Sequence, residues 1–182
     1  LHPYALMVGI TTVALFTMHG AIYVVMKTEG ELQAKVRSWI NNAIILFVIC
    51  YSMTTLATLI YIPHMLDKFR DYPVFFVLPL LTVLAIANIP REIFHGRELR
   101  AFLSSCAAMA GLLGLFGLGM YPSLIVSNPV ANSLTIYDAA SSEKTLGIML
   151  IVAILGMPLV IAYTISIYWV FRGKVKLTEH SY

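Results

Sequence analysis

Residues 145–171 read TLGIMLIVAILGMPLVIAYTISIYWVF and contain no Asp, Glu, Lys, Arg or His. A helix needs about 20 apolar residues to cross a bilayer, because the hydrocarbon core is about 30 Å thick and each residue rises about 1.5 Å. This segment is therefore long enough and apolar enough to span a membrane. Other segments of the same character precede it, so lipid rather than water decides the fold.

Five uncharged segments account for most of the chain, and they are 4–26, 38–62, 72–89, 101–120 and 145–171. Of the 182 residues, 12% are charged and 59% hydrophobic, and the mean hydropathy is +0.84. A soluble domain carries about 25% charged residues. We therefore predict an all-α fold, a polytopic membrane helix bundle with five transmembrane helices. It would form one domain over residues 1–182, with residues 121–144 as an external loop.

Three prolines are expected to shape the spans. Pro90 is predicted to end the third span, while Pro79 and Pro158 are predicted to bend the third and fifth spans. The charged segment 67–71 is predicted to form a tight turn between the second and third spans.

The basic residues predict how the chain is oriented. If the connectors alternate sides, nine basic residues share the side of the C-terminus and three lie opposite; the nine are Lys27, Lys35, Arg37, Arg91, Arg97, Arg100, Arg172, Lys174 and Lys176, and the three are Lys68, Arg70 and Lys144. Lys and Arg accumulate in cytoplasmic loops. The C-terminus is therefore predicted to be cytoplasmic. Because these residues flank spans, the net charge of +3 is not a nucleic-acid signal, and no nucleic-acid partner is expected.

The uncharged spans also limit the possible functions. Proton pumps and ion carriers use intramembrane Asp, Glu, Lys or Arg to bind or pass on charge. The sequence has no Cys or His cluster at metal-ligand spacing and no recognisable catalytic set, so we predict no catalytic residue and no metal site. Cys50 and Cys106 are expected to be small buried apolar residues. A transporter or channel fragment is the alternative, with Asn41, Thr55 and Thr58 as its water-accessible residues.

Three polar residues of the spans are candidates for cofactor binding: His19, Asn41 and Asn42. A membrane histidine can ligate haem iron, relay protons, bond a quinone oxygen or bond a neighbouring helix. The last role is favoured for His19, because no second histidine lies at a partner spacing on its helix. Asn41 and Asn42 open the second span, where an amide usually bonds backbone or lipid headgroups. A quinone headgroup or a subunit contact is the alternative for them.

The fourth span carries small residues at helical spacing, which are Ser104, Ala107, Gly111 and Gly114, with Gly117 and Gly119 beyond them. Small residues let two helix backbones approach closely, which is a main source of helix association in lipid. This span is therefore predicted to lie inside the helix bundle, and a contact with another subunit is the alternative.

The long loop and the last span carry an ordered pattern: Ser133-Leu-Thr-Ile-Tyr-Asp-Ala-Ala-Ser-Ser142, Thr145-Leu146, Met149-Leu150, Pro158, Tyr163-Thr164, Tyr168 and Phe171-Arg-Gly-Lys-Val-Lys176. The first span adds Met18-His-Gly-Ala21, Tyr23, Lys27-Thr28 and Gly30-Glu31-Leu32. Together these blocks resemble the second half of subunit II of cytochrome bd-type quinol oxidases, including the cyanide-insensitive branch. The resemblance covers nearly the whole chain.

The resemblance implies a complex in a bacterial inner membrane that oxidises quinol and reduces oxygen to water. It implies haem b, haem d and quinone in that complex, with the haems in subunit I, the expected protein partner. This chain would support subunit I and bind no cofactor directly, although the family's subunit II is a candidate shelter for a quinone. The first half of the family pattern, with the acidic residues implicated in proton delivery, is missing. A chain that begins Leu-His-Pro-Tyr, without Met, is accordingly expected to lack upstream sequence. A membrane anchor that binds haem or quinone by itself is a second rival, and it depends on His19.

Overall fold

The computed structural model describes residues 2–127 and 132–174. The helices in these residues are α1 (Pro3–Lys27), α2 (Glu31–Tyr61), α3 (Asp67–Asp71), α4 (Val77–Phe94), α5 (Glu98–Met120) and α6 (Glu143–Val170). Within the described ranges, α1, α2, α5, α6 and the segment Pro73–Phe94 are long and apolar enough to cross a membrane. The prediction of an all-α membrane fold with five transmembrane helices is confirmed.

The second helix begins earlier than the predicted span. α2 starts at Glu31 rather than at residue 38, so Lys35 and Arg37 belong to its first turns. Gly30 precedes it with a φ of 75°, in the left-handed region that favours glycine. The connector between α1 and α2 therefore covers only residues 28–30, whereas the predicted spans left residues 27–37 between them.

The third helix ends later than predicted. α4 continues through Pro90 to Phe94, so the expectation that Pro90 ends this span is wrong. Proline is tolerated inside membrane helices because neighbouring helices and side chains can satisfy the backbone groups that it frees. Ile86, Ile89 and Ile93 keep one face of α4 buried on both sides of Pro90, which holds the helix together there.

The segment before α4 is more regular than a tight turn. Two 3-10 turns, Pro63–Leu66 and Pro73–Phe76, flank the short helix α3, which contains the charged residues predicted to form a turn. Pro79 falls in the first turn of α4, where the backbone N–H groups have no partner within the helix. Pro79 therefore removes no hydrogen bond from α4, and the expected reason for a bend there does not apply. Pro158, in contrast, lies inside α6.

The chain divides into two compact units, and residues up to Met120 belong to the first. In this unit α1 packs against α2 and α5, and α4 packs against α5. The core is formed by apolar side chains at most 1% exposed, including Met18, Ile22, Val25, Ile40, Phe47, Ile89, Ala101 and Ala108. Met18, Ile22 and Val25 follow each other at four- and three-residue spacing, which places them on one face of α1.

The second unit covers Tyr121–Gly173. Strands β1 (Ser123–Ile125) and β2 (Leu134–Thr135) pair antiparallel, with Ser123 opposite Thr135. The Ser142 hydroxyl caps α6 by accepting from the Thr145 amide at 3.4 Å. Every residue of α6 is exposed, as expected for a uniformly apolar helix that lipid or another chain covers. Lys176, counted above in the basic C-terminal tail, lies outside the described residues.

Candidate functional site

His19 joins the first and fifth helices of the chain. Its Nδ1 lies 2.8 Å from the hydroxyl oxygen of Ser105, which is fully buried on α5. The imidazole also stacks on Phe102, with ring centroids 4.9 Å apart and an angle of 29° between the ring planes. Tyr23, one helical turn beyond His19, packs on the same Phe102 ring at 5.6 Å. We call His19, Tyr23, Phe102 and Ser105 the His19 cluster.

The hydrogen bonds of Ser105 assign the histidine tautomer. Ser105 donates its single hydroxyl proton to the Phe102 carbonyl oxygen, 2.7 Å away. Its oxygen must therefore accept from His19, which places a proton on Nδ1. In the neutral imidazole the other nitrogen, Nε2, then carries a lone pair and can accept a hydrogen bond. Among the described residues, the His19 cluster thus combines a helix-to-helix hydrogen bond through Nδ1 with a second ring nitrogen, Nε2, that forms no hydrogen bond.

The other two candidates, Asn41 and Asn42, lie elsewhere. Both side chains are exposed on α2, and neither forms a hydrogen bond with the described residues. Within the described residues, neither amide forms a hydrogen bond or ring contact with the His19 cluster. The structure therefore does not gather the three candidate residues into one site.

Hydroxyl groups connect α1 to α2. The Thr11 and Thr54 hydroxyl oxygens lie 2.7 Å apart, and Thr11 also lies 3.2 Å from the Cys50 carbonyl oxygen. Tyr4 and Thr58 form a second pair at 2.9 Å. The Thr55 hydroxyl donates to the Tyr51 carbonyl within its own helix. The hydroxyls of Tyr4, Thr11, Thr54 and Thr58 therefore serve the contact between α1 and α2, whereas that of Thr55 is bonded within α2.

The small residues of α5 contact α4, but not all of them take part. A Cβ on Gly111 would clash with Thr82 Oγ1, and one on Gly114 would lie 3.4 Å from Leu78. Ser104 accepts a hydrogen bond of 2.9 Å from the Asn88 amide. Ala107, in contrast, is exposed. The predicted position of this helix inside the bundle agrees with these contacts, although Ala107 does not belong to the packed face.

A buried carboxyl group was missed by the sequence analysis. Glu92, in the last turn of α4, is 3% exposed, and its Oε1 lies 3.2 Å from Arg91 Nη1. The same Nη1 donates to Asn88 Oδ1 at 3.2 Å. No donor among the described residues reaches Glu92 Oε2, which is also buried. We call Asn88, Arg91, Glu92 and Ser104 the Glu92 cluster.

Glu92 was missed because Pro90 was expected to end the span and leave residues 91–100 in a polar connector. The signal that points to its burial is the apolar spacing of Ile86, Ile89 and Ile93, which continues past Pro90. A second ion pair lies at this end of the first unit, where Arg37 on α2 meets Glu98 on α5 at 2.8 Å.

The loop between α5 and α6 holds a small polar turn. The Thr135 hydroxyl and amide both donate to Asp138 Oδ2, at 2.6 and 3.3 Å, and they lower the pKa of the Asp138 carboxyl from its ordinary 3.8. Tyr121 and Tyr137 share a hydrogen bond of 2.7 Å between their hydroxyls, which raises the pKa of Tyr137. Within the described residues, no three His, Cys, Asp or Glu side chains are placed to hold a metal ion.

Comparison with known proteins relates this chain to the second subunits of oxidases. Residues 1–171 match the family described as "Cytochrome bd terminal oxidase subunit II". The chain is 26% identical over 209 residues to "Cytochrome bd-I ubiquinol oxidase subunit 2" of Escherichia coli K12, covering 96% of this chain and 53% of that protein. It is 28% identical over 201 residues to "Probable cytochrome oxidase subunit 2" of Haemophilus influenzae, with the same coverage. The "Cytochrome bd ubiquinol oxidase subunit 2" of Bacillus subtilis is 25% identical over 183 residues, covering 98% and 52%. The chain spans about half the length of these curated relatives.

Proposed function

The chain belongs to the cytochrome bd terminal oxidase subunit II family, and we propose that it forms the second half of that subunit in a quinol oxidase of a bacterial inner membrane. In this proposal the complete complex oxidises quinol and reduces oxygen to water. The observation that carries it is the family match over residues 1–171, on a chain with five helices able to cross a membrane.

The proposed role of this chain is to hold the haem-bearing subunit I in place. Haem b and haem d are assigned to that partner, and no catalytic residue is assigned to this chain. A scaffold role is supported by the tightly packed α1, α2, α4 and α5, whose apolar side chains also cover much of the outer surface. In a bilayer this outer surface is available to lipid and to a partner subunit.

For a quinol bound by the complex, we propose His19 as the residue of this chain best placed to contact it. Nε2 accepts a hydrogen bond, and a quinol hydroxyl can donate one. Asn41 and Asn42 are less suitable, because both are exposed on α2 and lie outside the His19 cluster. Quinone extracted from purified complex and quantified by chromatography tests this role, with loss expected in His19→Ala and retention in Asn41→Ala.

We propose that the C-terminus is cytoplasmic. Support comes from the nine basic residues on its side against three on the other. The Arg172 guanidinium lies 4.9 Å from the Trp169 ring centre, a combination that suits the end of a span at either membrane interface. A green fluorescent protein fused after Lys174 should be fluorescent, whereas a periplasmic C-terminus would leave the fusion dark.

The main experiment expresses the reading frame that contains these residues, with a C-terminal tag, alone and together with the cognate haem-bearing subunit. Alone, the tagged protein should show no haem d absorbance. Together, the two subunits should purify as one complex that consumes oxygen when quinol is added. If the subunits never purify together, the proposed function is wrong.

The alternative of a transporter or channel fragment is not supported. The matched family is an oxidase subunit, and the three relatives named above are all described as oxidase subunits. Thr58, which a pore would expose to water, shares its hydrogen bond with Tyr4 of α1.

A further inference from the structure

Ser105 has two hydrogen-bonding neighbours but only one proton to share between them. It is 0% exposed on α5, and its hydroxyl oxygen lies 2.7 Å from the Phe102 carbonyl oxygen and 2.8 Å from His19 Nδ1. Two oxygens so close would repel each other without a hydrogen between them, and a carbonyl oxygen can only accept, so the hydroxyl proton lies there. Nδ1 must then donate. Ser105 therefore determines which nitrogen of His19 carries the proton.

The other ring nitrogen is limited by this assignment. A neutral imidazole has one donor and one acceptor, so His19 Nε2 can accept a hydrogen bond but cannot donate one. This limit holds whichever group of the complete complex meets Nε2. A hydroxyl group would form a hydrogen bond there, whereas a carbonyl oxygen would place lone pair against lone pair. His19 therefore distinguishes a donor from an acceptor of the same size.

The surroundings of the imidazole suit a flat, neutral ligand. Phe102 stacks on the His19 ring at 4.9 Å, Tyr23 packs on Phe102 at 5.6 Å, and all three side chains are half-buried. The reduced and oxidised forms of a quinone have rings of nearly the same size and differ chiefly in bearing hydroxyl or carbonyl groups. Shape and apolar contact therefore hardly separate the two forms, but the hydrogen bond to Nε2 does.

We propose that Ser105, acting through His19, makes the quinone site of this chain selective for the reduced form. The inference rests on the proposed function, in which His19 contacts a quinol of the complex. The quinol hydroxyl donates to Nε2, whereas the quinone carbonyl has no hydrogen to give. Ser105 is a positioning residue, because it acts on the ligand only through the tautomer of His19.

The selectivity is expected to match the net contribution of one hydrogen bond, which is a factor of about three to ten in affinity. Tighter binding of the reduced form makes reduction of the bound quinone easier. For a two-electron couple, this factor raises the midpoint potential of the bound quinone by about 15–30 mV relative to the free quinone. In a complex that oxidises quinol, such a site retains the substrate and releases the product.

The first measurement is the tautomer of His19 in the complete complex. Solid-state NMR on the complex in lipid bilayers, with nitrogen-15 in its histidines, separates protonated from unprotonated ring nitrogens. The resonances that disappear in His19→Gln belong to His19. They should show a proton on Nδ1 and none on Nε2. A proton on Nε2, or on both nitrogens, would overturn the proposal without any need for a Ser105 variant.

The second measurement is the midpoint potential of the quinone held at this site. The complex is equilibrated at a series of set potentials, and the extracted quinone is quantified in its reduced and oxidised forms. The quinone that is lost in His19→Ala is the pool assigned to the site. Its midpoint should lie about 15–30 mV above that of free quinone in the same membrane. A midpoint at or below the free value would show that the site does not prefer quinol.

Two neighbouring serines separate the role of Ser105 from general packing. Ser105→Ala removes the acceptor of Nδ1–H, so Nε2 is free to carry the proton, and most of the rise in midpoint should disappear. Ser104→Ala is the matched control, because the Ser104 hydroxyl accepts from the Asn88 amide of α4 and does not bond His19. It should keep both the tautomer and the midpoint of the wild type. Equal midpoints in Ser105→Ala and the wild type would contradict the role assigned to Ser105.

The outcomes also separate this inference from the proposed function. If His19→Ala keeps all of its quinone, the proposed contact with His19 is wrong and the selectivity falls with it. If His19→Ala loses quinone but the wild-type midpoint equals that of free quinone, the contact stands and only the selectivity is wrong.

Discussion

Gly111 of α5 faces Thr82 of α4 with no room for a carbon atom between them. A Cβ built on Gly111 would clash with Thr82 Oγ1 and lie 3.1 Å from Thr82 Cβ. Thr82 is 2% exposed, and its hydroxyl donates to the Leu78 carbonyl, so its side chain cannot easily move aside. The closest approach of these two helices therefore depends on the missing side chain of Gly111.

Gly111→Ala should destabilise the protein by about 1–3 kcal/mol, because overpacking forces the helices apart or strains Thr82. Gly111→Leu should lower the yield of the complex further. Thermal unfolding in detergent and the amount of complex that purifies with the haem-bearing subunit measure the two effects.

Gly117→Ala is the matched control, because a Cβ at that position meets nothing within 4 Å. It should be neutral or slightly stabilising, since alanine is a better helix former than glycine by about 1 kcal/mol. If both variants behave alike, the contact between Gly111 and Thr82 does not hold α5 in place.

Ser105→Ala should lower the stability by about 1–2 kcal/mol, because it leaves the His19 Nδ1–H without its acceptor in a partly buried position. Ser52→Ala is a suitable comparison, since Ser52 is exposed and bonds only the Val48 carbonyl of its own helix. Denaturation in mixed micelles should therefore separate the two serine variants. Equal stability would show that the bond between His19 and Ser105 contributes little.

His19→Ala should leave the visible spectrum of the purified complex unchanged, because the haems are proposed to belong to the partner subunit. This outcome would dispose of the rival in which the chain is a haem-binding anchor by itself. A lost or shifted haem band, with normal amounts of both subunits, would instead favour that rival.

A cysteine placed at Thr54 should resist a membrane-impermeant maleimide, after Cys50 and Cys106 are replaced by alanine. Thr54 lies 2.7 Å from Thr11 at the junction of α1 and α2, which leaves little room for water. Ser142→Cys, in the exposed segment before α6, should react fully and serves as the control. Equal labelling at both positions would revive the channel alternative.

The membrane fold could be predicted from the sequence because a helix must be long and apolar to cross a bilayer, and a hydropathy profile identifies such segments directly. The faces of these helices could not be predicted in the same way. Ile89 is 0% exposed and Leu113 is 72% exposed, although both are large and apolar. Lipid tails are as apolar as leucine, so hydropathy does not separate core-facing from lipid-facing positions.

The candidate site was predictable only in part, for related reasons. His19 stood out because a histidine is rare within a membrane span. Its partner Ser105 was missed, because the small-residue pattern pointed to the neighbouring Ser104. Glu92 was missed because a local rule for Pro90 was given more weight than the apolar spacing on both sides of it. The burial of Ser105 and of Glu92 depends on which helix packs against each residue, and the sequence of a single helix does not show this.

The carboxyl of Asp138 should titrate below pH 3.8, because the Thr135 hydroxyl and amide donate to its ionised form and lower its pKa. A lowered pKa means that these hydrogen bonds contribute fully above pH 3.8 and lose their effect as the pH falls through the lower, folded-state value. Carbon-13 NMR of labelled aspartate carboxyls in micelles measures the midpoint. Thr135→Val should move it up toward 3.8, whereas Thr164→Val, whose hydroxyl bonds only within α6, should not. An Asp138 midpoint at or above 3.8 in the unaltered protein would mean that this turn does not form in solution.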